Sequence, residues 1–209
     1  NDRLSRFRFD PLNEYAEGRR EFVRQGAPIA DTLVNHSNSI NDTTLIADGL
    51  TALVFGRDTR ITNNRIEVTD GRAGLYLRGA SPVIENNIFI FRGVGRTATA
   101  APIKLFQTDG AIIRNNIIII EDAHWAPEQA ISLIASAGVT VENNRVYGGK
   151  ELVRVFEEGT DFSATGNTLP AYADRPALRP GDRAASDVDL TVRHADRFPF
   201  ELEQETKNY

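Results

Sequence analysis

An amine, a phenol and a guanidinium recur at matching places along the chain: Lys104 in Ile103-Lys104-Leu105, Tyr76 in Leu75-Tyr76-Leu77 and Arg154 in Val153-Arg154-Val155, with Arg78 and Gln107 close behind. Each of the first three sits between two apolar residues, the period-two pattern of a strand with one buried face, so the middle side chain points outward. Val54 and Ser132, flanked in the same way, complete the set. A lysine beside fixed cations loses part of its preference for the charged form. Lys104 could then act as a base, with Tyr76 donating to a leaving oxygen. A plainer account of the same residue is a solvated face on which Lys104 snorkels with its ammonium in water. The stretch Glu121 to Gln129 holds the sole Trp, Trp125, beside His124 and Asp122. There the indole could stack on a ring and the imidazole relay a proton, although a lone His in a loop is commonly just exposed. His36 and His194 have no comparable setting. Arg96, in the loop Arg92 to Ala101, adds a cation suited to binding an anion.

The elements that must position these residues follow from a repeat. Five segments share one pattern: ITNNRIEV from Ile61, IENNIFIF from Ile84, IRNNIIII from Ile113, VENNRVYG from Val141 and a degenerate ATGNTL from Ala164. Their second asparagines, Asn64, Asn87, Asn116, Asn144 and Asn167, are spaced by 23 to 29 residues. That elasticity fits loops of variable length inserted into a fixed turn. Between each apolar-x-apolar strand and the next Asn pair lies a turn rich in Gly, Asp, Ser and Pro, such as GRDT at Gly56 and RGASP at Arg78. Each repeat thus reads as strand, turn, strand, Asn corner, strand, loop. Short-range hairpin signals do not recur, so identical repeats stacked in parallel register explain the pattern better than a meander. Asn suits the corner because it tolerates left-handed backbone and its amide can bond its own copy about 4.8 Å along the stack. The Asn positions are therefore read as structural rather than catalytic. The column predicted to face outward is Val54, Tyr76, Lys104, Ser132 and Arg154, with Phe106, Ile134 and Phe156 forming an apolar row just beyond it.

These Asn-Asn repeats, from about Thr51 to Leu169, resemble the parallel β-helices of the pectin-lyase-like superfamily. The fold class this implies is all-β: a right-handed, single-stranded parallel β-helix spanning residues 30–169. The resemblance further implies that acidic polysaccharide would lie across the outward strand face beside the longest loops. Abstraction of a proton next to a uronate carboxylate would need a cation and a base. Lys104, Tyr76, Arg78 and His124 are the catalytic candidates for that chemistry, and Trp125, Arg154, Gln107 and Arg96 the substrate-binding ones. Similar solenoids also serve as adhesins and tailspikes, so the fold does not name the activity. The mannuronan-epimerase motif and the Asp cluster of calcium-dependent pectate lyases are absent, as are GxSxG, HExxH, dinucleotide and RTX calcium patterns. The chain is also short for the catalytic members. The preferred expectation is an exported or surface module that binds carbohydrate or plays a structural role, with a small uronate lyase or epimerase as the alternative. No cofactor and no metal are expected.

At the N-terminal end, Asp10 to Gln25 reads as a helix with Asp10 as N-cap, Pro11 in the first turn and Gly26 as a stop, so residues 1–29 are expected to cap the open end of the stack. Residues 170–209, rich in Pro and charge, read as an extended arm packing on the solenoid. The tail around Phe198 and Phe200 is expected to cover the apolar row, with a homodimer partner as the alternative. A net charge of −5 without a basic face argues against nucleic acid or anionic membrane as partner. No apolar run approaches the roughly 20 residues of a membrane span. The chain has neither Cys nor Met. Its start at Asn1 fits a secreted or periplasmic protein that has lost a leader.

Overall fold

The structure, a computed structural model, describes residues 38–47, 50–69, 73–92, 98–121 and 128–193. The expected N-terminal helix lies outside them. A partial first rung holds β1 (Ser39–Asn41) and β2 (Thr44–Ala47). The next rungs are β3 (Leu50–Arg57), β4 (Arg60–Thr62) and β5 (Arg65–Val68), then β6 (Ala73–Ala80), β7 (Val83–Glu85) and β8 (Ile88–Phe91). They are followed by β9 (Ala101–Asp109), β10 (Ile112–Arg114) and β11 (Ile117–Ile120), then β12 (Gln129–Ile134), β13 (Val139–Glu142) and β14 (Arg145–Tyr147). The last rung holds β15 (Glu151–Val155) and β16 (Phe162–Thr165).

Every strand pairs in parallel with its counterpart one rung away, which makes three sheets: a long-strand sheet (β3, β6, β9, β12, β15), a middle sheet (β1, β4, β7, β10, β13, β16) and a post-corner sheet (β2, β5, β8, β11, β14). This is a parallel β-helix. The register stacks like on like. Ile61, Ile84, Ile113 and Val141 form one inward column, and Ile66, Phe89, Ile118 and Val146 another. All eight are buried, each stabilising the fold by about 1.5–3 kcal/mol relative to exposure.

The register corrects one outward assignment. Tyr76 pairs with Leu53, not Val54, while Val54 pairs with Leu77 and is 7% exposed in the core. Leu53, Val54 and Phe55 are all apolar, so either parity satisfied the sequence pattern, and a one-residue slip exchanges the faces. The core parity is Ala52 and Val54 beneath Leu75 and Leu77.

The two asparagines of each corner divide the work. The first adopts the left-handed conformation, with φ of 58° at Asn63 and Asn86, 56° at Asn115 and 53° at Asn143; Gly166, at 68°, takes that slot in the degenerate repeat. The second builds a buried ladder in which Nδ2 of Asn64 donates to Oδ1 of Asn87, and so on through Asn116 and Asn144 to Asn167, at 2.9 to 3.0 Å. Each of the first four also donates its backbone N–H to that oxygen and its second amide hydrogen to an Ile carbonyl one rung back, Asn116 for example to Ile84 at 3.0 Å. Both lone pairs and both amide hydrogens of Asn116 are thereby used, so burial leaves nothing unsatisfied. The ladder expectation is borne out.

Residues 170–193 run over the outer face of the post-corner sheet. Ile88, Ile90, Ile117, Ile119 and Tyr147 form a second apolar cluster there with Val188, packed against by Tyr172, Leu178, Ala185 and Leu190. Covering this face explains how β11 can read Ile-Ile-Ile-Ile: Ile118 and Ile120 point into the core, Ile117 and Ile119 into the second cluster. The arm reaches back to the first rungs, where Arg65 donates to the Arg179 carbonyl at 3.0 Å and Arg183 to that of Asp42 at 3.4 Å. Ser186 N–H meets Asn86 Oδ1 at 2.8 Å. It then returns to pair Arg193 with Pro176. Between β14 and β15 the chain turns at Gly148 (φ +78°), where a Cβ would fall 2.2 Å from the Ile120 carbonyl oxygen.

Of the apolar row, Ile134 is buried at 8% exposure, and Phe106 and Phe156 are half-buried. Phe198 and Phe200 lie outside the described residues.

Candidate functional site

Parallel register places Tyr76, Lys104, Ser132 and Arg154 on successive long strands, facing outward. Four half-buried side chains form a strip across the early rungs of this face: the Lys104 ammonium lies over the Tyr76 ring at 5.6 Å, Tyr76 stacks on Phe106 at 6.3 Å, and the Arg78 guanidinium lies over Phe106 at 5.7 Å. The contacts run cation, ring, ring, cation, each cation against a ring face whose quadrupole attracts it. Lys104 also donates to the Thr99 hydroxyl at 2.7 Å.

Beyond Lys104 the column changes character. Ser132 is fully buried. The limb of residues 98–100, returning from the loop after β8, covers it: Ser132 Oγ donates to the Thr99 carbonyl at 3.0 Å, and Gln129 Nε2 donates to those of Ala98 and Ala100 at 2.7 and 2.8 Å. Arg154 lies two rungs from Lys104 and is bound by Glu128 and Glu151. It therefore does not flank Lys104. Hydrogen bonds from Arg154 and Lys150 hold the Glu128 carboxyl down to about 2, and Arg154 is raised above its usual value by the same carboxylates.

Gln107 is exposed and takes φ of 48°, where β9 carries one residue more than β6 between Leu105 and Thr108. It is thus the bulge residue, turned away from the Tyr76–Lys104 pair. His124, Trp125 and Arg96 lie outside the described residues. The bases of their two loops are nonetheless tied together, since Arg92 Nε meets Glu121 Oε1 at 2.7 Å. Arg92 also reaches Glu67 at 2.7 Å, and Glu67 binds Arg65 at 2.6 Å. Burial alone would raise the Glu67 carboxyl, but the two arginines outweigh it and hold it below the usual carboxylate range. Among the described residues no group of three or more His, Asp or Glu could hold a metal ion, and no helix is long and apolar enough to cross a membrane.

Residues 32–169 match the family described as Right handed beta helix region. The chain belongs to that family. In the same comparisons no curated protein and no solved structure matches it. Within this right-handed β-helix, sequence reasoning missed two arrangements. The Arg65, Glu67, Arg92, Glu121 chain joins residues more than a rung apart. Its only signal was the outward parity of Arg65 and Glu67 in RIEV, opposite the inward Ile66 and Val68. The Gln129–Ser132 clamp was hidden because Gln129 closes a loop in the sequence yet is 1% exposed in the fold.

Proposed function

We propose that this right-handed β-helix is a non-catalytic, exported module that binds an anionic, uronate-containing polysaccharide across its long-strand face. The observation that carries this reading is the strip of Tyr76, Lys104, Phe106 and Arg78, in which two ring faces and two cations adjoin on neighbouring rungs. Aromatic faces suit the apolar side of a sugar ring, and the cations suit its carboxylate. A lyase or epimerase would need the Lys104 nitrogen as a base. It instead donates to Thr99 and lies over the Tyr76 ring, both contacts that suit an ammonium.

Affinity electrophoresis through gels containing polygalacturonate, alginate or a neutral glucan tests the proposal. Retardation by the polyuronates alone is expected, weakening with salt and lost in Tyr76→Ala and Lys104→Ala. Equal mobility in all three gels would overturn binding. Accumulation of unsaturated, ultraviolet-absorbing product would replace it with the lyase reading, and a nuclear magnetic resonance assay of the recovered polymer covers epimerisation.

A further inference from the structure

We infer that Gln129 and Ser132 are positioning residues of the carbohydrate face, locking the limb 98–100 so that Thr99 holds the Lys104 ammonium over the Tyr76 ring. The inference rests on the binding reading above and goes beyond it by naming what sets the geometry and the extent of the site.

The limb offers three successive carbonyls, and two buried side chains take all of them. Gln129 Nε2 donates at 2.7 Å to Ala98 and 2.8 Å to Ala100, and Ser132 Oγ donates at 3.0 Å to Thr99. The amide nitrogen also lies 3.3 Å from the Ser132 hydroxyl, joining the two into one unit. With Gln129 at 1% and Ser132 at 0% exposure, the two donors are shielded from water, and losing Gln129 strands the buried Ala100 carbonyl. Turning the carbonyls toward β12 presents the Thr99 hydroxyl to Lys104, 2.7 Å away. Because Ser132 is the register partner of Lys104, the limb occupies the outward position one rung beyond it. The limb is then a wall. A polysaccharide on the strip runs across Tyr76, Lys104, Phe106 and Arg78 and is stopped from continuing along the column toward Arg154.

The test uses Gln129→Leu, which keeps bulk and removes the donor, and Ser132→Ala. Two readouts apply: polyuronate affinity, and the acetylation rate of Lys104 by peptide mass spectrometry with the exposed Lys150 as internal reference. Both variants should bind polyuronate about tenfold more weakly, the equivalent of one hydrogen bond. Lys104 should acetylate several-fold faster than in wild type while Lys150 does not change, a selectivity that general loosening of the fold would not give. Unchanged affinity together with unchanged Lys104 reactivity in both variants would overturn the inference. Should wild type bind no polyuronate, the function reading fails, and selective Lys104 exposure still decides the clamp. If Gln129→Leu does not fold, Ser132→Ala, which removes a single hydroxyl, decides on the same readouts.

Discussion

Two of the three outward faces of the stack, those of the post-corner and long-strand sheets, are built from the same alternating strands yet are finished in opposite ways. On the post-corner sheet the outward columns are Arg65, Ile88, Ile117 and Arg145, and Glu67, Ile90, Ile119 and Tyr147. Their apolar centre is sealed by the arm, and the Arg65–Glu67 end is polar where Arg65 grips the arm backbone. On the long-strand sheet the outward residues are rings, cations and a serine, and among the described residues the limb 98–100 lies against them. The difference teaches that alternation fixes which residues leave the core, whereas their chemistry decides whether a second layer must follow. Isoleucines call for a cover, and a ring–cation strip is left half-exposed as a surface to be used.

Removing the arm should have the largest effect on this contrast. A chain ending at Leu169 would uncover Ile88, Ile90, Ile117, Ile119 and Tyr147, each contributing about 1.5–3 kcal/mol while buried. It should bind a hydrophobic dye and aggregate on gel filtration; a soluble monomer of wild-type stability would erase the distinction between the faces. Ile119→Ala, beneath the arm, should cost about 2–5 kcal/mol in urea denaturation. Asn116→Ala, at the corner between the middle and post-corner sheets, should cost about 1–3 kcal/mol, and Asn167→Ala less because that end of the ladder is half-exposed; a Tm of Asn116→Ala equal to wild type would refute the ladder's energetic role. The Glu67 carboxyl is held below its usual value in the folded state, so its stabilisation is complete above the unfolded-state pKa of about 4.3 and fades as pH falls through the folded value. Glu67→Gln should accordingly flatten the acid limb of a Tm-against-pH curve. On the other face, Lys104→Ala should change stability by less than about 0.5 kcal/mol while abolishing polyuronate binding; a stability loss as large as that of Ile119→Ala would mean that the strip is structural.

Much of the fold was legible because the Asn pair is local and periodic. Both jobs of the corner, a left-handed turn and a self-complementary amide, belong to one residue type, so Asn63-Asn64 and its copies announced the rungs without tertiary information. The failures came where apolarity lost its alternation. Leu53-Val54-Phe55 carries no parity, which cost the register of the first column. Ile117 to Ile120 is apolar on both sides because of an arm whose contacts, Tyr172, Leu178, Val188 and Leu190, have no regular spacing. At the candidate site, Tyr76, Arg78 and Lys104 were readable as outward residues from their flanks. Thr99, which accepts from Lys104, and Gln129, which holds the limb, were not, since a limb folding back across a strand leaves no periodic trace. The isolation of Arg154 followed from Glu128 and Glu151, ordinary acids in the sequence that only the register brings to its guanidinium.

The Asn ladder also gives the stack a polarity that its sheets alone do not advertise. Every amide oxygen from Asn64 to Asn167 accepts from the rung before it, and every ladder N–H from Asn64 to Asn144 points to the rung after it. The amide dipoles are thus aligned head to tail, and each bond polarises the next. The row begins at the Thr43 backbone N–H, 3.1 Å from Asn64 Oδ1, and ends at Asn167, whose amide turns back to the Val141 and Thr165 carbonyls. Between those two terminators each rung presents the same acceptor to the rung behind and the same donor to the rung ahead, so it behaves as an interchangeable part. Duplicating the rung from β9 to β11 should therefore lengthen the stack by about 4.8 Å without redesigning either end.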